Sequence, residues 1–177
     1  LDVYEHYGLL RERAVFAHCL HMDDMDRTRM AEKGGAAAFC PTSNLFLGSG
    51  LFDLPAMRAA GIRCGLGTDV GGGTSLSLIK TASEAYKVLH LQEHALPATR
   101  ALYLATLGAA EALYLDDRIG NFEPGKEADF VVLDPDGSSL TARRMTAAQT
   151  VEEALFALLT LGDDRNVAAT FVHGKAV

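Results

Sequence analysis

No apolar run in this chain approaches the ~20 residues that a membrane span requires. No cluster of lysine and arginine offsets a formal charge of -7, so neither a nucleic acid nor an anionic membrane surface is an expected partner. No basic stretch followed by an apolar core stands at the start, and no secretory leader is read there. The first residue is Leu1 rather than Met, which reads as a piece of something longer or a processed product. Cysteine is scarce, with only Cys19, Cys40 and Cys64. No pair of them has zinc-ribbon or redox spacing. An odd number of thiols inside apolar runs fits small core residues in a reducing cytoplasm better than a disulfide framework.

Several chemical signatures are also missing. After Gly65-Leu66-Gly67 the place of the last Rossmann glycine is taken by Val70. Gly73 is followed by Thr74, not by the Lys-Ser/Thr of a phosphate loop. The His-x-Glu and Pro-Cys-x-x-Cys signature of one class of zinc deaminases is absent, since Cys40-Pro41 has the order reversed. There is no Gly-x-Ser-x-Gly elbow, and Gly48-Ser49-Gly50 reads as a flexible loop.

What is present is a rhythm. Three apolar runs, Val15 to Ala17, Ala36 to Phe39 and Ile62 to Leu66, each end in polar residues. The first ends at His18, the second at Cys40-Pro41-Thr42-Ser43-Asn44, the third at Thr68-Asp69. Their separation accommodates a strand, a helix and two turns, so the reading is a repeated βα unit with a parallel sheet and right-handed crossovers. Asp23 and Asp24 are the candidate caps for a helix from about Met25 to Lys33, closed by Gly34-Gly35. Asp53 caps a short helix with Pro55 in its first turn and Gly61 at its end. Ser77 to His94 reads as a long helix with one apolar face, and Pro97 opens another to about Leu107. A short helix over Ala109 to Tyr114 follows.

The character then changes. Asn121 to Lys126 is a turn, Ala128 to Leu133 a strand, Val151 to Leu161 a helix and Val167 to Val172 a strand, with His173-Gly174-Lys175 as a hairpin turn. A boundary near Leu115 divides the chain into 1-115 and 116-177. At 177 residues, about half of them apolar, the chain can bury a substantial core. It is short for a whole α/β barrel of ~250 residues.

An acid at the carboxyl end of a parallel strand faces the mouth where α/β active sites collect. Asp69 is therefore an expected active-site acid, with Gly71-Gly72-Gly73 behind it to let a ligand approach. A turn aspartate explains the glycines equally well, but not the same layout at two earlier strand ends. His18 alone would pass for a hydrogen-bonded turn histidine. Paired with Asp69 at a matching strand end, it becomes a candidate for proton transfer beside a metal-bound water. The two side chains are expected at the ends of adjacent strands, about 6 Å apart or somewhat more. His21 reads as exposed, and Glu84, Glu152 and Glu153 as helix-surface carboxylates.

Phe16-Ala17-His18-Cys19, Phe39-Cys40-Pro41-Thr42-Ser43-Asn44-Leu45 and Gly65-Leu66-Gly67-Thr68-Asp69 resemble three strand ends of the amidohydrolase superfamily, the sixth to the eighth. Gly120 to Asp134 resembles its return to a small β-sandwich. The stretches Ser43 to Phe52 and Thr68 to Ser75 are most similar to the branch that deaminates guanine. The resemblance implies an α/β fold: the carboxyl-terminal part of a distorted (β/α)8 TIM-like barrel over 1-115, strands six to eight, and part of a β-sandwich domain over 116-177. It implies a cytoplasmic hydrolase of purine catabolism with Zn2+ as cofactor, working as a homodimer of the complete enzyme. By resemblance Asp69 is a zinc ligand that accepts the proton of the bound water, and His18 contacts the hydroxide without ligating. Both would touch the substrate guanine, whose C2 is attacked to give xanthine and ammonia. The superfamily also carries a His-x-His pair, a further His and Glu, and an Arg-Phe pair that grips the purine; none of these is in this chain. An isolated chain is thus expected to be inactive and to leave strand edges exposed. An aminohydrolase of another purine, a pterin or a triazine stays open, as does an inactive fragment.

Overall fold

The computed structural model describes all residues from Leu1 to Val177. A short helix α1 (Asp2–His6) precedes β1 (Val15–Ala17), and α2 (Asp24–Glu32) leads to β2 (Ala36–Phe39). Two short helices, α3 (Pro41–Phe46) and α4 (Leu54–Ala59), then connect to β3 (Arg63–Leu66). The three strands form one parallel sheet in the order β1-β2-β3. The local reasons are those expected. The Asp23 side chain accepts from the Asp26 N–H at 2.8 Å, and Asp53 accepts from the Ala56 N–H at 2.9 Å. Gly34 and Gly61 close the two helices at positive φ.

Some elements differ from the sequence reading. Cys40 to Asn44 is not a strand-end loop; α3 starts there at once, with Pro41 in its first turn and Gly48 at φ +66° just past its end. Proline needs no N–H at that position and glycine accepts the left-handed turn. The helix α5 (Leu78–His90), capped by Ser77, stops a turn before the expected His94. Then come α6 (Ala98–Ala105) and α7 (Leu107–Ala112).

The core lies between the parallel sheet and these helices. Phe39 and Phe52 stack there at 4.6 Å between ring centroids, among Met30, Met57, Val88 and Leu104, all buried. The helix α7 approaches β3 so closely that a Cβ on Gly65 would stand 2.8 Å from Ala109 Cα. Only the smallest residue permits that contact.

The remaining strands, β4 (Phe130–Leu133), β5 (Val167–Val172) and β6 (Lys175–Ala176), form a separate antiparallel sheet in that order. Between β4 and β5 lie α8 (Ser139–Met145) and α9 (Val151–Leu161). The former was not foreseen; its start is a capping box formed by Ser138 and Thr141. Buried Asn166 donates to the Asp134 carbonyl at 2.7 Å and to Thr141 Oγ1 at 3.2 Å, holding this connection together. The helix α9 turns back to the first sheet's helices. Phe156 meets Tyr86 edge-on at 5.2 Å, and Ser83 Oγ donates to the Thr160 carbonyl at 3.2 Å. The antiparallel sheet itself is sparsely covered, with Val131 52% and Val132 43% exposed.

Two measurements check this packing. Gly65→Ala in the full-length protein should cost about 1–3 kcal/mol, the usual cost of overpacking, read as a lower urea midpoint; an unchanged midpoint would show that α7 can retreat freely. The chain on its own should self-associate through the exposed strands β4 and β6, and a monodisperse monomer in light scattering would refute that.

Candidate active site

His18 follows β1 directly. Its backbone N–H still donates to the Ala38 carbonyl of β2 at 3.1 Å, so the residue starts from a fixed point. Its φ is +70°, and Cys19 follows at +50°. Asp69 lies three residues beyond β3 with φ +45°. Histidine and aspartate are among the residues that tolerate this left-handed region, and side chains held there concentrate at functional sites. The loop behind Asp69 is closed by the Gly73 N–H, which donates to the Asp69 carbonyl at 2.5 Å. A side chain on Gly73 would collide with the Thr68 carbonyl, and one on Gly72 would stand 3.3 Å from Asp69 Oδ2. The glycines thus shape the turn and keep one side of the carboxylate open.

The two side chains meet. His18 Nε2 stands 3.6 Å from Asp69 Oδ2, and each side chain remains about 40% exposed, 41% and 39%. This is closer than the sequence reading placed them, and the strands are not adjacent: β2 lies between β1 and β3. Both residues lie beyond the strands at positive φ, and the chain there bends across the end of β2. On the other side of the ring, His18 Nδ1 is hydrogen-bonded to the Asn44 side-chain amide, 2.7 Å from Oδ1. Asn44 comes from the last turns of α3 and is 2% exposed. The sequence reading placed Asn44 at the same mouth but gave it no role. The available signal was Pro41 followed by Gly48, which brackets a helix and turns Asn44 inward. His21 is exposed, as expected. A cleft of about 930 Å³ runs along the free side of β1, bordered by Tyr4, Phe16, His18 and Met22.

The cysteines take no part. Burial pushes the thiols of Cys19 and Cys40 up to about 11, aided at Cys40 by the Asp69 charge, and that of Cys64 up to about 12. They stay protonated at neutral pH, where thiol and not thiolate is neither nucleophile nor metal ligand. What remains is an imidazole and a carboxylate converging on one partly open point. Such a pair can take a proton from a water placed there and hold the charge that develops.

The whole chain, residues 1–177, matches the amidohydrolase family. The chain belongs to that family. It is 50% identical over 177 residues to the guanine deaminase of Escherichia coli, covering all of this chain and 40% of that relative. The solved E. coli guanine deaminase superposes with a TM-score of 0.97 at 49% identity, over 99% of this chain and 41% of that one. A guanine deaminase from C. acetobutylicum, solved with guanine in its active site, gives a TM-score of 0.87 at 28% identity, covering 99% and 42%. An adenosine deaminase from Xanthomonas campestris, solved with bound zinc, gives 0.83 at 28%, covering 99% and 39%. This member of the family therefore spans about 40% of the length of the relatives it matches.

Zinc in that structural neighbour supports a metal cofactor in the family. Within this chain no three His, Cys, Asp or Glu side chains come together that could hold an ion. A catalytic zinc takes three protein ligands, and Asp69 is one donor. The residues present do not by themselves fit the ion.

The thiols give a direct check on the site's surroundings. At pH 7.5 iodoacetamide should modify Cys19, Cys40 and Cys64 at least about 100-fold more slowly than an unburied thiol, in line with a rise of two or more pH units. Because the folded state holds these protons more tightly, the thiol contribution to stability is complete below the unfolded pKa. It is lost as pH rises through 9 toward 11. Rapid alkylation of all three at neutral pH would show the strand ends to be open.

Proposed function

We propose that this chain supplies part of the active site of an enzyme that hydrolyses the exocyclic amine of guanine. The observation that carries the reading is the convergence of His18 and Asp69 at 3.6 Å on the carboxyl side of a parallel sheet. The 50% identity to the E. coli guanine deaminase supports the choice of substrate. In the reaction one water and one guanine give xanthine and ammonia. The oxygen of water bonds to C2, and the bond from C2 to the amine breaks. Asp69 accepts the proton of the attacking water, and His18 steadies the charge on its oxygen. Both touch the substrate. Donation of a proton to the ring and the grip on the purine fall to residues outside this chain.

Asp69 also serves as one zinc ligand, its carboxylate oxygen being a suitable donor. The other ligands come from the rest of the protein. We read residues 1-115 as the closing part of a TIM-like barrel, strands six to eight. The segment 116-177 is a returning part of a small β-sandwich. The order of elements supports this: a βα run with a parallel sheet, then a separate antiparallel sheet.

In the full-length protein, Asp69→Asn and His18→Ala should each lower ammonia release from guanine by about 10²–10⁴-fold. Metal analysis should separate them: Asp69→Asn loses its zinc, and His18→Ala keeps most of it. Residues 1–177 alone should hold no stoichiometric zinc and release no ammonia. Wild-type turnover in either variant would overturn the assignment.

A further inference from the structure

We propose that Gly72 is a positioning residue: seated against Ser43 of α3, it sets where the Asp69 carboxylate stands relative to His18. The inference rests on the reading of His18 and Asp69 as reacting groups. It starts from a glycine that the turn itself does not need. Gly71 has φ +119°, a conformation that side chains rarely adopt. Gly73 has the Thr68 carbonyl where a side chain would go. Neither reason applies to Gly72. Its φ is negative, and the three nearest atoms that a Cβ would meet all belong to side chains.

Those atoms are Ser43 Cβ at 3.2 Å, Asp69 Oδ2 at 3.3 Å and Leu47 Cδ1 at 3.4 Å. They differ in their freedom to move. Ser43 is wholly buried, its Cβ is carried by the backbone of α3, and its Oγ donates to the Cys40 carbonyl at 3.2 Å. Pro41 starts that helix directly after β2, so Ser43 stands at a fixed height above the sheet. Leu47 is 62% exposed and can turn its methyl groups away by changing rotamer. The Asp69 side chain is partly exposed and can swing to the far side. A methyl group on Gly72 is therefore stopped by α3 and displaces the carboxylate. In the native chain the bare Cα lets the loop lie directly on α3, and Ser43 is the stop that fixes the approach of Oδ2 to His18 Nε2. Bonds within the loop carry that position to Asp69. The Gly73 N–H donates to the Asp69 carbonyl at 2.5 Å, and the Gly71 N–H donates to the Gly73 carbonyl at 3.0 Å.

The test uses the full-length protein. In Gly72→Ala, guanine kcat should fall about 3- to 10-fold with KM within about threefold, the size expected when a reacting group moves by a fraction of an ångström. The thermal midpoint should drop by no more than about 3 °C, since alanine suits a negative φ. A crystal structure of the variant should show the Asp69 carboxylate turned away from residue 72, with Ser43 in place. Adding Ser43→Gly gives the methyl group room on the α3 side. The double variant should then recover kcat to within about twofold of Ser43→Gly alone, whereas a merely loosened loop would lose more. Wild-type kcat in Gly72→Ala overturns the proposal. So does a structure in which Leu47 has moved and the carboxylate has not, and that measurement stands even if Ser43→Gly fails to fold. Absence of recovery in a folded double variant overturns it as well. Should Asp69→Asn turn over guanine normally, the site reading itself has failed. An inactive Asp69→Asn beside a fully active Gly72→Ala defeats only the role given to Gly72.

Discussion

The parallel ladder that pairs Val15 with Ala36, and Ala36 with Arg63, decides where every polar group of the site comes to rest. Each residue along a strand advances about 3.3 Å. His18 and Asp69 are 3.6 Å apart, so a slip of one residue in either pairing would separate them by as much again and turn the side chains over. The register is protected by what packs on it. Phe39 from β2 stacks on Phe52 at 4.6 Å, and Gly65 in β3 admits α7 to within contact. Neither fit survives a shift. The relative placement of His18 and Asp69 is therefore supplied by apolar contacts well below the mouth, and the polar groups inherit it.

The sequence was a good guide wherever one local rule acted alone. Strands β1 and β2 ended where apolar runs met His18 and Cys40, β3 ended at Leu66 three residues before Asp69, and the caps at Asp23 and Asp53 marked their helices. Family membership was also legible, because the motifs around His18, Asn44 and Asp69 stand in the right order and now match over the whole chain. Reading failed where short helices begin without an apolar stripe. The six residues of α3 are too few to show a period, and α8 hides behind the turn at Asp134. Side-chain aim was out of reach too. That Asn44 meets His18 is a contact between residues 26 apart in the chain, which no local pattern shows.

Electrostatics at the mouth follow from shape more than from charge. The chain carries a formal charge of -7, yet the acid that matters is a single carboxylate, kept open by Gly72. Its neighbours include the His18 imidazole and the buried thiol of Cys40. Nothing else among these residues competes for a water or a metal there.

The return of α9 onto α5 and α6 has a consequence for how such a protein can be taken apart. A seam near Leu115 separates two sheets in the chain order, but it is not a seam in space. Phe156 and Leu159 are part of the wall behind the first sheet, and Ser83 is tied to Thr160. Cutting there would strip one module of its cladding and leave the other with an apolar rod and nothing to lean on. Exchange of the small sheet between relatives, by recombination or by an engineer, must therefore carry α9 together with a matching surface on α5. The tail of the chain is a structural creditor of its first half.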